Sequence, residues 1–203
     1  MRRAIAMGVA LAAAAALGVA APAAAEQDQP YRTKIFLAAS YVAPLSESDQ
    51  NFQGVVDSVQ ASEELGWEAG IAGRWNPLLG WELSYVHATQ DVDFGGDTIG
   101  KVDFEPIAFT LEFHLVPTSV VDFWIGPTVA WVRWGDLKVE NGDIYKGGTD
   151  SAYGATVGLD LGLSEHLAIT GAVRYIKAKA DLEGFKSADV DPLFARLGLA
   201  VRF

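Results

Sequence analysis

Three histidines, His87, His114 and His166, are the side chains of this 203-residue sequence best suited to acid–base chemistry near neutral pH. His114 lies two residues from Glu112. On an extended chain both side chains therefore point to the same side, which is how a carboxylate and an imidazole are brought together for proton transfer. No serine shares that strand to act as a nucleophile, so hydrolysis by a Ser-His-acid device, as in lipid A modification, is the least favoured reading. Asp91, Asp93 and Asp97 crowd around Gly95 and Gly96, but their spacing is not that of an EF-hand loop and they read as a solvated acidic loop. The chain has no cysteine, which removes disulfides, thiolate metal ligands and a lipid-modified N-terminal Cys. No metal and no cofactor are expected.

These residues must be carried on elements that suit an exported protein. Met1-Arg2-Arg3 is followed by an apolar run from Ala4 to Ala20, then Ala21-Pro22-Ala23-Ala24-Ala25 before Glu26. A short basic start, an apolar stretch and small residues at Ala23 and Ala25 describe a cleavable signal peptide over residues 1–25, handled by the general secretory route. One domain is then expected over 26–203. Loss of Arg2 and Arg3 leaves 13 basic residues against 26 acidic ones, a net charge of −13, which argues against nucleic acid as a partner. After residue 25 no uninterrupted apolar run approaches the eighteen or so residues that a spanning helix needs.

What remains is a period of two. Ile107, Phe109, Leu111, Phe113 and Leu115 alternate with Ala108, Thr110, Glu112 and His114, and the same split recurs over 65–75 and 153–163. Strands are predicted near 32–42, 63–75, 80–89, 104–116, 121–134, 151–163, 167–179 and 190–203. The connections between them alternate long and short, at 43–62, 76–79, 90–103, 117–120, 135–150, 164–166 and 180–189. Even strand number with alternating links predicts an all-β fold, an eight-stranded antiparallel transmembrane β-barrel with short periplasmic turns and longer extracellular loops. The apolar parity is the lipid face, with Trp67, Trp75, Trp81, Tyr85, Trp131 and Tyr175 towards strand ends as an interfacial girdle. The other parity is rich in Gly, Ala and Thr, as a narrow interior requires.

Giving each strand its direction sorts the inward residues by height. Arg74, Glu82, Glu112, His114, Asp160 and Arg202 fall towards the periplasm, with Arg174 and Arg196 higher. Acids and bases there are expected to pair across the lumen and plug it. Val86, Ala88, Val132, Trp134, Ile176 and Phe194 fall towards the outside. They predict an open apolar upper pocket whose ligand contacts are Trp134, Phe194, Ile176, Val132 and Val86. Pro127, beside Gly126 in the fifth strand, cannot donate a ladder hydrogen bond and marks a weak point in the wall for sideways release. Leu197, Leu199, Val201 and Phe203 share the final strand's lipid-facing parity, the form of a C-terminal signal for the outer-membrane assembly machinery.

Three segments carry a family likeness: Val190-Asp191-Pro192-Leu193-Phe194 running to Val201-Arg202-Phe203, Asp150-Ser151-Ala152-Tyr153-Gly154 followed by Gly158-Leu159-Asp160, and Phe123-Trp124-Ile125-Gly126-Pro127. In these the sequence resembles the OmpW family of small bacterial outer-membrane barrels. The resemblance implies a barrel concerned with binding or passage of small hydrophobic molecules, set among outer-membrane lipid and lipopolysaccharide. A structural or adhesive barrel acting through its acidic loops is the alternative.

Overall fold

A computed structural model describes residues 31–45, 48–52, 55–61, 63–94, 97–139, 144–180, 188–189 and 191–203. The expected signal peptide, 1–25, lies outside them. Among the described residues eight long strands form the wall: β1 Thr33–Pro44, β2 Glu64–Asn76, β3 Leu79–Phe94, β4 Asp97–Pro117, β5 Val121–Trp134, β6 Thr149–Gly162, β7 Leu167–Lys177 and β8 Pro192–Arg202. Each pairs antiparallel with its neighbour in sequence, and β8 pairs with β1 from Lys34↔Arg202 to Pro44↔Pro192, which closes the ring. Closure leaves no open edge in the wall, the condition for a sheet to stand in hydrocarbon.

Sequence alternation becomes burial alternation. Along β5, Asp122, Trp124, Thr128, Ala130, Val132 and Trp134 are buried, while Ile125, Val129 and Trp131 are exposed. The ten steps from Val121 to Trp131, at about 3.3 Å each and a tilt near 45°, span roughly 25 Å, the height of an outer-membrane apolar band. Leu37, Ile71, Ile107, Val157, Leu197 and Leu199 complete that band. No helix among the described residues is long and apolar enough to cross a membrane, which leaves the strands to do so.

The lower turns are held by side chains. Asn76 Oδ1 accepts from the backbone N–H of Leu78 and Leu79, both at 2.9 Å, and Ser164 Oγ accepts from that of Leu167 at 3.1 Å. The upper connections depart from the sequence reading. The region 90–103, expected as a loop, is mostly strand, since β3 and β4 continue as a hairpin with Gln90↔Val102 and Asp91↔Lys101 in register. Its period of two persists inward, where Val92 and Val102 are buried, while Lys101 and Asp91 form an ion pair at 2.8 Å on the outward side. Within 43–62 the short strands Ser48–Phe52 and Val55–Ala61 pair, and the second pairs antiparallel with the upper end of β3 at Val59↔Phe94.

A barrel closed in this way stays folded in unheated SDS and migrates differently after boiling. Identical migration under both conditions, together with a helical circular dichroism spectrum, would rule the architecture out.

Candidate functional site

The inward face divides into layers. Lowest is a floor. Arg202 donates from Nη1 to Ser119 O at 2.8 Å and from Nη2 to Ser164 O at 2.6 Å, tying two periplasmic turns to β8. Above it the Tyr31 ring lies among cations, 4.6 Å from the Arg74 guanidinium, 5.7 Å from that of Arg202 and 5.9 Å from Lys34 Nζ. The Tyr31 hydroxyl lies 3.1 Å from both Asp122 Oδ2 and Asp160 Oδ2. Lys34 pairs with Asp160 at 2.6 Å, Arg74 pairs with Asp122, and His114 Nδ1 lies 2.8 Å from Asp122 Oδ1. Glu112 Oε2 faces His114 Nε2 at 3.3 Å.

A second layer is a four-residue charge belt. Arg196 reaches Glu68 at 2.7 Å and Glu82 at 2.5 Å, while Arg174 reaches the same two carboxylates at 3.2 and 3.1 Å. The Arg196 guanidinium also lies 4.2 Å from the Phe36 ring. Such charges survive burial because each carboxylate meets two guanidinium groups, and Glu82 receives Arg196 in a fork through both of its oxygens. Threonines continue the polar layer, with the Thr128 hydroxyl 2.8 Å from that of Thr110 and 2.7 Å from that of Thr156, to which Arg174 Nε donates at 3.2 Å. Trp124 lies flat in this region because Gly158 has no Cβ; one added there would stand 2.1 Å from the indole.

The third layer is apolar. Val42, Val86, Val92, Val102, Phe104, Val132, Trp134, Ile176 and Phe194 form one buried cluster. Phe104 packs tilted against Trp134 with ring centroids 4.6 Å apart and stacks on Phe194 at 5.8 Å, and Trp134 Nε1 donates to Lys179 O at 3.0 Å. Here the expectation of an open upper pocket is corrected. Trp134, Phe194, Ile176, Val132 and Val86 are at most 4% exposed, packed on one another rather than around an open space. In so narrow a barrel, side chains from opposite walls touch, and Phe104 fills the remaining gap.

The charge pairing differs in detail from the sequence reading. Arg202 bonds turn carbonyls instead of a carboxylate, and neither Glu112 oxygen has a hydrogen-bond partner. Tyr31, Lys34, Glu68 and Asp122 complete the network yet were not singled out from the sequence. Lys34 and Asp122 were legible as inward by parity with Phe36 and Trp124, whereas Tyr31 precedes its strand and carried no signal. His87 is on the outer face, 3.2 Å from Glu105, and His166 is exposed in a periplasmic turn. The ring nitrogens of His114 face Asp122, Arg74 and Glu112. Asp93 accepts from Thr98 at 2.7 Å, and the side chain of Asp97 lies outside those described. Among the described residues no three His, Asp or Glu side chains are grouped to hold a metal.

The Arg196→Met variant leaves Glu68 and Glu82 to share Arg174, and removing one partner of a buried network costs about 3 to 5 kcal/mol. Urea unfolding in phospholipid vesicles reads that loss; an unchanged midpoint would show that the belt contributes nothing to stability.

Comparison with known proteins agrees with this geometry. The solved structure of OprG from Pseudomonas aeruginosa superposes with a TM-score of 0.77 at 19% identity, covering 87% of this chain and 98% of that one. AlkL, solved by solid-state NMR in lipid bilayers, gives 0.62 at 20% identity over 90% and 95% of the two chains. Outer membrane protein W of E. coli gives 0.57 at 15% identity over 86% and 99%. At these identities the likeness is one of fold, shared with the OmpW-type barrels. No curated protein matches in sequence. The profile of the outer membrane protein beta-barrel domain matches residues 9–203, and with its closed eight-stranded wall the chain belongs to that family of bacterial outer-membrane proteins.

Proposed function

We propose that the protein binds small hydrophobic molecules from the cell exterior in its upper lumen and releases them sideways into the outer leaflet. The observation that carries this reading is an apolar layer set directly above a paired and buried charge belt. A hydrophobic molecule gains contacts with Trp134, Phe194, Ile176, Val132 and Val86 as these side chains part. Further descent separates ion pairs and leaves buried groups unsatisfied, at roughly 1 to 3 kcal/mol each. Lateral release avoids that penalty.

The wall has two places suited to it, each at a strand proline. Pairing of β4 with β5 skips from Thr110↔Thr128 to Phe113↔Ile125 opposite Gly126 and Pro127, and pairing of β3 with β4 skips from Tyr85↔Ile107 to Ala88↔Phe104 opposite Pro106. The register is kept across both gaps, so what is missing is pairing and not a residue. The gap at Pro127 adjoins Glu112 and the threonines, whereas Pro106 pairs with Val132 and adjoins Val86, level with the apolar layer. Of the two, Pro106 is the shorter path to lipid.

A structural or adhesive role is the second reading, favoured by the close packing of that same layer and by the hairpin of β3 and β4. Insertion in either case relies on the assembly machinery reading Leu199, Val201 and Phe203, all lipid-facing.

Two experiments follow. In liposomes Trp134→Asp weakens binding of an apolar fluorescent probe, while Pro106→Val and Pro127→Val each keep binding and the one on the exit path slows release. If all three behave like the parent, the conduit reading fails and the structural one replaces it. In cells, deletion of Phe203 lowers outer-membrane yield at native expression; undiminished yield argues against its role as a signal.

A further inference from the structure

The two ring nitrogens of His114 meet different neighbours. Nδ1 lies 2.8 Å from Asp122 Oδ1 and 3.1 Å from Arg74 Nη2, and Nε2 lies 3.3 Å from Glu112 Oε2. An ionised carboxylate only accepts and a guanidinium only donates. Asp122 also receives Arg74 and stands 3.1 Å from the Tyr31 hydroxyl, so it is the acceptor among several donors and Nδ1 turns its hydrogen towards it. A neutral imidazole has then used its one hydrogen. Nε2 would direct a lone pair at a carboxylate that is itself buried, and neither Nε2 nor either Glu112 oxygen has a hydrogen-bond partner. Two facing acceptors in a water-poor interior are held together only by a hydrogen between them.

We propose that Glu112 and His114 form a proton-binding site, holding one proton in their contact whether it resides on nitrogen or oxygen, and that its loss loosens the periplasmic floor. The pair titrates as one unit. Gly80 keeps room for it: a Cβ there would stand 2.7 Å from Nε2 and 3.1 Å from Oε2.

The link to the floor follows from the charges that surround the pair. From β2 comes Arg74, committed to Asp122 of β5. From β7 and β8 come Arg174 and Arg196, committed to Glu68 of β2 and Glu82 of β3, and Arg202, committed to turn carbonyls. From β1 comes Lys34, bound to Asp160 of β6 and 5.4 Å from the Trp124 ring. When the shared proton leaves, Glu112 becomes an uncompensated buried carboxylate facing His114, whose other ring nitrogen holds Asp122. Repulsion that moves His114 also disturbs Asp122, which holds Arg74 and the Tyr31 hydroxyl in the floor.

The test uses the full-length mature chain in planar lipid bilayers with potassium chloride, raising the pH on the periplasmic side. Wild-type ion conductance rises reversibly with pH. Glu112→Gln, whose amide donates to Nε2 without a titrating proton, loses the pH response and keeps the low conductance. Gly80→Ala, which removes no ionisable group, displaces the pair and shifts the response. Heat-modifiable migration in SDS shows that each variant is folded. Nitrogen and carbon NMR of labelled His114 and Glu112 finds a proton on Nε2 or on the carboxyl at neutral pH. A bare Nε2 beside an ionised Glu112, a flat wild-type response, or an unaltered response in folded Glu112→Gln overturns the proposal.

Discussion

In hydrocarbon no water completes the hydrogen bonds of a peptide backbone, and the rest of this structure depends on that constraint. It forces the sheet to close through the pairing of β8 with β1. Closure at eight strands then fixes an interior too narrow to hold bulk solvent. Glycines sit where large rings must lie flat, as Gly158 does beneath Trp124. Most inward charges find partners among side chains of other strands, and Arg202 finds turn carbonyls.

Partnering explains why the interior is layered. Arg174 and Arg196 cross the lumen to Glu68 and Glu82, so strands distant around the ring are held at a fixed separation. Above the belt the buried side chains are mostly apolar, and Phe104 packs tilted against Trp134 and stacks on Phe194. At the boundary between the two layers a solute passes from apolar side chains to paired, buried charges. A solute moving down the axis meets that boundary as a rise in free energy, and one moving outward meets a wall whose ladder is thinned at two prolines.

Strand number, direction and face were legible in the residues because alternation is a local property. β5 occupies the 121–134 predicted for it, and Val86, Val132, Trp134, Ile176 and Phe194 point inward as parity requires. The upward extension of β3 and β4 was hidden because the outward face turns polar above the lipid, with Asp91, Asp93, Lys101 and Asp103, although Val92 and Val102 keep the inward period. Pairing across the barrel was not legible. Lys34 meets Asp160 at a separation of 126 residues, and nothing near either position names the other. Parity also tells which residues face inward but not whether they fill the space, which is why a pocket was expected where a packed layer stands.

Arg202 adds an order of events. Its hydrogen bonds to Ser119 and Ser164 join turns belonging to β4–β5 and β6–β7, yet the guanidinium is carried by β8, the strand that closes the ring. The base of the lumen therefore cannot seal while the sheet is still open. In an open sheet the interior carboxylates and guanidinium groups would face water, and in the closed ring they are buried with their partners. Sealing of the base and closure of the ring thus depend on the same strand, β8.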